Sequence, residues 1–251
     1  MNPTIAVDLG NSAAKWSVDN QTEQRVSLRS ADWVQHLIQE ARAATSDQPI
    51  RWRIASVNRP ITKLLVGHLQ SQSPSSDIRT ISCDDVPMVA GVMNPDRVGI
   101  DRRLAAWMAS RLFAGQPLVV VDAGSAITVD VVSRAAEFCG GAILPGIALQ
   151  FDALARGTDA LPAIDLLAVS EITTDSLPMP AKDTVSAIRS GILLGAAAAI
   201  DGLIRHHIAR SGEPHPVVVL TGGDAALLSR LLAHPHQVKP RLILDAIAAL
   251  P

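Results

Sequence analysis

Two short segments constrain this chain more than anything else in it: Asp8-Leu9-Gly10-Asn11-Ser12 and Asp122-Ala123-Gly124-Ser125-Ala126. Each follows a short apolar, β-prone run, Thr4 to Val7 in the first case and Pro117 to Val121 in the second. Each precedes another such run, Ala13 to Val18 or Ile127 to Val132. A turn with Asp first, Gly third and a small hydroxyl residue close behind is therefore written twice, nearly half a chain apart. A strand–turn–strand unit repeated at that distance in 251 residues reads as an internal duplication. The expected product is an α/β protein of two similar lobes. A break near Ala114 to Gln116 gives lobes of 1–114 and 115–251.

The rest of each half fits that plan. Val34, Leu37, Ile38 and Ala41 recur at helical spacing, as do Ile61, Leu64, Leu65 and His68. Arg53 to Val57 reads as a strand. Gln70 to Asp77, rich in Ser and Gln, reads as an exposed connection, and Val86 to Gly99, with Pro87 and Pro95, as irregular. Asp101 then opens a helix carrying Leu104, Trp107, Met108 and Leu112. In the second half, Gly140 to Ile147 reads as a strand and turn, and Asp183 to Arg210 as a long, Ala-rich, buried helix. Val217 to Leu220 is a strand running into Thr221-Gly222-Gly223-Asp224-Ala225, and Leu227, Leu228, Leu231 and Leu232 continue as an amphipathic helix.

Composition excludes several classes. The net charge is −2 with scattered Lys and Arg, which argues against a nucleic-acid partner or a membrane-surface patch. The most apolar late stretch, Gly191 to Ile200, ends at Asp201 and falls short of the roughly 20 residues a bilayer span needs. The start of the chain lacks the pattern of a secretory signal, so a cytoplasmic protein is expected. Cys83 and Cys139 have no metal-ligand spacing and read as small core residues of a reducing compartment. His206-His207 and His234-Pro235-His236 lack partners at metal spacing.

The turns carry the chemistry. Gly10 lets backbone N–H groups approach an anion closely, because no Cβ intervenes. Asn11 and Ser12 add donors, Lys15 adds positive charge, and Asp8 could hold Mg²⁺ beside a polyphosphate. An ordinary hairpin turn uses the same residue types for steric reasons; the second copy, and a third glycine pair at Gly222-Gly223, favour phosphate binding over that reading. The chain has neither a P-loop nor a dinucleotide fingerprint.

The ordered set of motifs resembles the type III pantothenate kinases. It comprises DLGNSAAKW at Asp8 to Trp16, NP at Asn94 to Pro95, GIDR at Gly99 to Arg102 and DAGSAITVD at Asp122 to Asp130. GGAILPG at Gly140 to Gly146, DTVSAIRSGI at Asp183 to Ile192 and TGGDA at Thr221 to Ala225 complete it. The resemblance implies the actin-like, ribonuclease H-like fold: two lobes, each a mixed sheet flanked by helices, with a nucleotide cleft between them. It implies ATP-dependent phosphorylation of pantothenate to 4'-phosphopantothenate, the first step of coenzyme A biosynthesis, by a homodimer. The first phosphate-binding segment would be Asp8, Leu9, Gly10, Asn11, Ser12, Ala13, Ala14 and Lys15, with Ser125, Gly222 and Gly223 also at ATP. Asp101 would be the general base. Gly99, Ile100, Asp101 and Arg102 would line the pantothenate site, Arg102 facing the carboxylate, with Val92 and Thr184 beside the substrate. Asp122 would hold the monovalent cation, K⁺ or NH₄⁺, that accompanies Mg²⁺ and ATP.

The chain departs from the family pattern at four places. Val92 stands where Tyr is common, Arg103 where Trp often follows the Asp-Arg pair, Ser125 where Thr is usual, and Asp245-Ala246-Ile247 where Glu-Gly-Leu is expected. The first two fall on the substrate pocket. They motivate an alternative, a nucleotide-binding regulatory protein without turnover; a phosphohydrolase of the same superfamily is a further alternative.

Overall fold

The computed structural model describes residues 2–19, 21–46, 48–164, 172, 176–211, 213 and 215–250. They form two compact units, the first of residues 1–111 with 241–251 and the second of residues 112–240.

The first unit is built on β1 (Thr4–Leu9), β2 (Ala13–Val18), β3 (Gln24–Ser27), β4 (Arg51–Ser56) and β5 (Asp77–Thr80). Their order across the sheet is β3-β2-β1-β4-β5. β1, β2 and β3 form an antiparallel meander, and β4 and β5 extend it in parallel with β1. Alternation along β1 turns Ile5, Val7 and Leu9 to one side and Ala6 and Asp8 to the other. The first set joins a buried cluster with Trp16, Trp52 and Ile54 and with residues of α1 (Trp33–Thr45) and α2 (Arg59–Gln72). The helical spacing in α1 places Val34, Leu37, Ile38 and Ala41 in that cluster, as its sequence predicts. Asn58 starts α2 by accepting the Ile61 N–H on its side chain, with Pro60 in the first turn, where its missing N–H costs nothing. Between β5 and α3 (Ile100–Leu112) the chain is irregular apart from two single helical turns, Cys83–Asp85 and Pro95–Arg97.

The second unit repeats the plan with β6 (Leu118–Ala123), β7 (Ala126–Val132), β8 (Phe138–Pro145), β9 (Val217–Thr221) and β10 (Gln237–Val238). The order β8-β7-β6-β9-β10 and every strand direction match the first sheet. Two mixed sheets of one topology, each flanked by helices, make this the actin-like, two-lobed α/β fold. α4 (Ile147–Gly157) and α5 (Thr184–Ser211) pack on each other, and α5 lies on β7. Ile188, Ile192, Leu193, Ala196, Ala197 and Ile200 of α5 join Val119, Val121 and Ile127 in the core. α5 is longer than its most apolar ten residues suggest, and it has the length and composition of a membrane span. Half of its most apolar window is buried inside the unit, as expected of a core helix.

Four expectations need correction. The division falls at 111–112, and residues 241–251 belong with the first unit, where α7 (Leu242–Ala249) packs on β1, β2 and β4. An apolar helix goes where an apolar sheet face is open, whatever its place in sequence. The helix expected through Leu232 is only the four-residue α6 (Ala225–Leu228), after which the chain turns. The stretch Gln70 to Asp77 is part helix, since α2 runs to Gln72, and its last residue opens β5. Neither cysteine is a core residue: Cys83 is half-buried and Cys139 exposed, both as free thiols.

Candidate active site

The two Asp-x-Gly segments are hairpins, and pairing register shows how each Asp is placed. Asp8 is the penultimate residue of β1 and lies opposite Lys15 of β2. Asp122 is the penultimate residue of β6 and lies opposite Thr128 of β7. Residues directly opposite on an antiparallel pair share a face, so each Asp meets its partner's side chain on the sheet surface. The turns differ by one residue. In the first, the Gly10 N–H donates to the Ala13 carbonyl (3.1 Å); in the second, the Gly124 N–H donates to the Ala126 carbonyl (3.0 Å). The tighter turn brings a threonine, where the first has lysine, opposite the carboxylate.

In the first hairpin Asn11 and Ser12 stand exposed at the tip, while Ala13 and Ala14 are buried in β2. Asp8 is half-buried, and its carboxyl is pushed up from 3.8 to about 6. Burial is the main cause; the Lys15 ammonium pulls the other way, and the carboxylates of Asp101 and Glu23 add to the rise. Lys15 and Asp101 are therefore each within electrostatic reach of Asp8, although Asp101 is far away in sequence. Asp101 sits in the first turn of α3, where the helix dipole favours an acid. Its Oδ1 accepts the Arg102 N–H at 2.8 Å.

The expected substrate segment borders this carboxylate. Gly99 and Ile100 lead into α3, and Arg102 follows Asp101, half-buried. Val92 is half-buried in the irregular stretch before α3, between the exposed Val89 and Met93. That stretch is tied down near both ends. Arg103 Nη2 donates to the Met88 carbonyl at 2.5 Å, and the Cys83 thiol donates to the Val98 carbonyl at 3.3 Å. Arg103 is only 8% exposed, and its Nε has no hydrogen-bond partner among the described residues. In the sequence Arg103 is a departure at the pocket; in the structure it is a buried strut under the Val92 segment. Burial pushes the Cys83 thiol up, with Arg103 opposing and Asp84 and Asp101 reinforcing.

In the second unit Ser125 is half-buried beside Asp122, and the glycine pair at Gly222-Gly223 follows β9. Gly222 has φ +99°, and a Cβ on it would meet the Ala123 carbonyl carbon and Asp122 Oδ1, each at 2.5 Å. Only glycine fits there, against the Asp122 turn. The helix that follows this turn, α6, is only four residues long. Thr184 is exposed at the start of α5, which Asp183 caps by accepting the Ser186 N–H at 2.9 Å.

Oxygen donors suited to hard cations are present at both carboxylates. A half-buried Asp8 with a raised pKa is an incompletely neutralised anion, which fits an Mg²⁺ ligand. Thr128, across from Asp122, is buried with its Oγ1 unpartnered among the described residues, which fits a monovalent cation. Among the described residues no three His, Cys, Asp or Glu side chains converge into a metal cluster. His236 is a structural residue, bonded to the His234 carbonyl and Ser229 Oγ at 2.8 Å each.

Comparison with known proteins decides the family. The family model for type III pantothenate kinase matches residues 4–206. The chain belongs to the type III pantothenate kinase family. A type III pantothenate kinase of Rhodopirellula baltica is 36% identical, over 98% of this chain and 97% of its own. One from Gluconobacter oxydans is 32% identical, over 98% and 92%. Among solved structures, a conserved Baf family protein of Campylobacter jejuni superposes with a TM-score of 0.61 at 22% identity, covering 98% of this chain and 94% of that one. The activator of 2-hydroxyisocaproyl-CoA dehydratase from Clostridium difficile, solved with ADPNP, gives 0.53 at 13%, covering 99% and 92%. At those identities the likeness is one of fold alone. It places this member of the pantothenate kinase family in the same architecture.

Proposed function

We propose that this chain transfers the γ-phosphoryl group of ATP to the hydroxyl of pantothenate, giving 4'-phosphopantothenate, the first step of coenzyme A biosynthesis. The observation that carries the reading is the family match over residues 4–206. The arrangement of Asp8, Lys15 and Asp101 supports it. Phosphoryl transfer asks a protein for position, charge neutralisation and a proton acceptor. The exposed tip at Asn11 and Ser12, with the Gly10 backbone and Lys15, binds and orients the phosphates. Asp101 is the general base: with Oδ1 held by the Arg102 N–H, its carboxylate takes the pantothenate hydroxyl proton as the oxygen attacks. Arg102 pairs with the substrate carboxylate, and Gly99, Ile100, Val92 and Thr184 line the pantothenate site. Ser125, Gly222 and Gly223 contact ATP.

Asp8 would hold Mg²⁺, and Asp122 with Thr128 would hold K⁺ or NH₄⁺; when bound, both ions would neutralise charge on the phosphates. The enzyme works in the cytoplasm as a homodimer. ADP release by the purified protein with ATP, Mg²⁺ and K⁺, with and without pantothenate, tests the reading. A kinase releases ADP only when pantothenate is added. Release without acceptor is the result of a phosphohydrolase, and release in neither case that of a regulatory protein.

A further inference from the structure

Gly99 has no need of glycine's backbone freedom, since its φ lies outside the left-handed region. Its carbonyl accepts the Arg103 N–H at 3.2 Å, an ordinary first-turn bond that any residue could make. What a side chain would change is the space above it. A Cβ at position 99 would stand well inside 3.0 Å of Asp101 Oδ1. Its next neighbours, Asp101 Cγ at 3.6 Å and Arg102 Cδ at 3.9 Å, are at ordinary contact distance. The Asp101 carboxylate thus folds back over the bare Cα of Gly99, and in that place Oδ1 accepts the Arg102 N–H.

We infer that Gly99 is a positioning residue for the reaction. Its missing Cβ admits the Asp101 carboxylate to the one seat where the Arg102 amide holds it. The inference rests on the reading of Asp101 as the base. An alanine methyl would push Oδ1 off the amide by roughly half an ångström or more, and a misplacement of about 1 Å can cost ~10²-fold in rate. The clash falls on the far end of a side chain that can rotate away, so the fold loses little. Rate and stability therefore separate at this position.

The test compares Gly99→Ala, Asp101→Ala and the double variant. Gly99→Ala is expected to melt within about 2 °C of the parent, with kcat lower by roughly 10–100-fold and an unchanged KM for ATP. At saturating pantothenate the double variant is expected to have a kcat no lower than that of Asp101→Ala alone, because the effect of Gly99 on the chemical step runs through that carboxylate. In an NMR spectrum the Arg102 amide resonance of Gly99→Ala should move toward that of Asp101→Ala. Normal turnover in Gly99→Ala beside a crippled Asp101→Ala overturns the inference. So does a double variant slowed by both factors. If Asp101→Ala itself turns over normally, the base assignment fails, and an unmoved Arg102 amide in Gly99→Ala then overturns the positioning as well. A Gly99→Ala that fails to fold, and is not rescued in the double variant, has the same consequence.

Discussion

Replacing Asp8 by Asn should make the ligand-free protein more stable while abolishing its activity. The reason lies in where Asp8 sits. It lies half-buried on β1, and the Lys15 ammonium opposite does not offset burial and the repulsion of Asp101 and Glu23. Its carboxyl stands at about 6 in the fold against 3.8 for the free side chain. A group whose pKa rises on folding favours the fold when protonated. Its contribution is fully present below about pH 4 and is lost as pH climbs through about 6. Two pKa units correspond to about 3 kcal/mol, and relaxation around a partly open side chain reduces that to ~1–3 kcal/mol at pH 8. Asn is nearly isosteric and cannot ionise, so Asp8→Asn should recover this amount at pH 8 and almost none at pH 4. Trp16, Trp33, Trp52 and Trp107 all lie in the first unit and are all buried, so tryptophan fluorescence reports its unfolding. The assay is urea unfolding of both proteins in EDTA, without nucleotide, at the two pH values. A gain of equal size at both pH values, or a loss at pH 8, would refute the electrostatic argument. Turnover with Mg²⁺ and ATP should meanwhile fall by at least ~10²-fold, since the carboxylate that burdens the empty fold is the one proposed to hold the ion.

At Arg103, substitution by Met keeps the volume and removes the donor to the Met88 carbonyl; the expected result is a raised KM for pantothenate with an unchanged KM for ATP, read by steady-state kinetics. Faster proteolytic cleavage between residues 88 and 98 should accompany it, because the strut under that segment is gone. Asp122→Ala should remove the dependence of turnover on K⁺ over Na⁺, and Thr128→Val should raise the K⁺ concentration needed for half-maximal rate by roughly 10-fold, the value of one lost oxygen contact; equal rates of the parent in the two salts would sink both. Val92→Tyr should lower the KM for pantothenate by roughly 10–100-fold, as one added hydrogen bond to a charged group allows, and a KM that stays or rises means that Val92 does not line the pocket.

The parts of the fold legible in the sequence are those whose burial is periodic. β2 runs from Ala13 to Val18 as expected, and α1, α3 and α5 follow their apolar spacing within a residue or so. The edge strands β3 and β5 were not legible, because edges exposed to water need no apolar run. α4 was legible in principle: Ile147, Phe151 and Leu154 recur at helical spacing and pack in the second core, but the helix begins where Gly140 to Ile147 reads as strand and turn, which masks its start. α7 could be seen as apolar but not assigned to a sheet, since its place on β1 is a long-range choice. At the site, the residue types were legible and their mutual placement was not. That Asp101 perturbs Asp8, or that Arg103 points inward to Met88, depends on how α3 meets the first sheet.

The two hairpins show what duplication leaves free to change. Both keep an Asp as the penultimate residue of the first strand and a Gly just beyond it, so the entry into the turn is preserved. One residue fewer in the second turn replaces an ammonium by a hydroxyl as the cross-strand partner of the carboxylate. The exchange alters what each Asp can do. Lys15 supplies a fixed positive charge where phosphate oxygens would gather, and a second cation is still needed because Asp8 stays under-neutralised. Thr128 supplies no charge, only an oxygen without a hydrogen-bond partner among the described residues. A carboxylate beside an unsatisfied hydroxyl is a partial shell for a weakly charged, oxygen-seeking ion. A carboxylate beside an ammonium suits a polyphosphate with its divalent partner. The strand–turn–strand repeat alone would suit either half to either task. The single-residue difference in turn length is the feature that supports dividing the tasks as proposed, with phosphates and Mg²⁺ at Asp8 and the monovalent ion at Asp122.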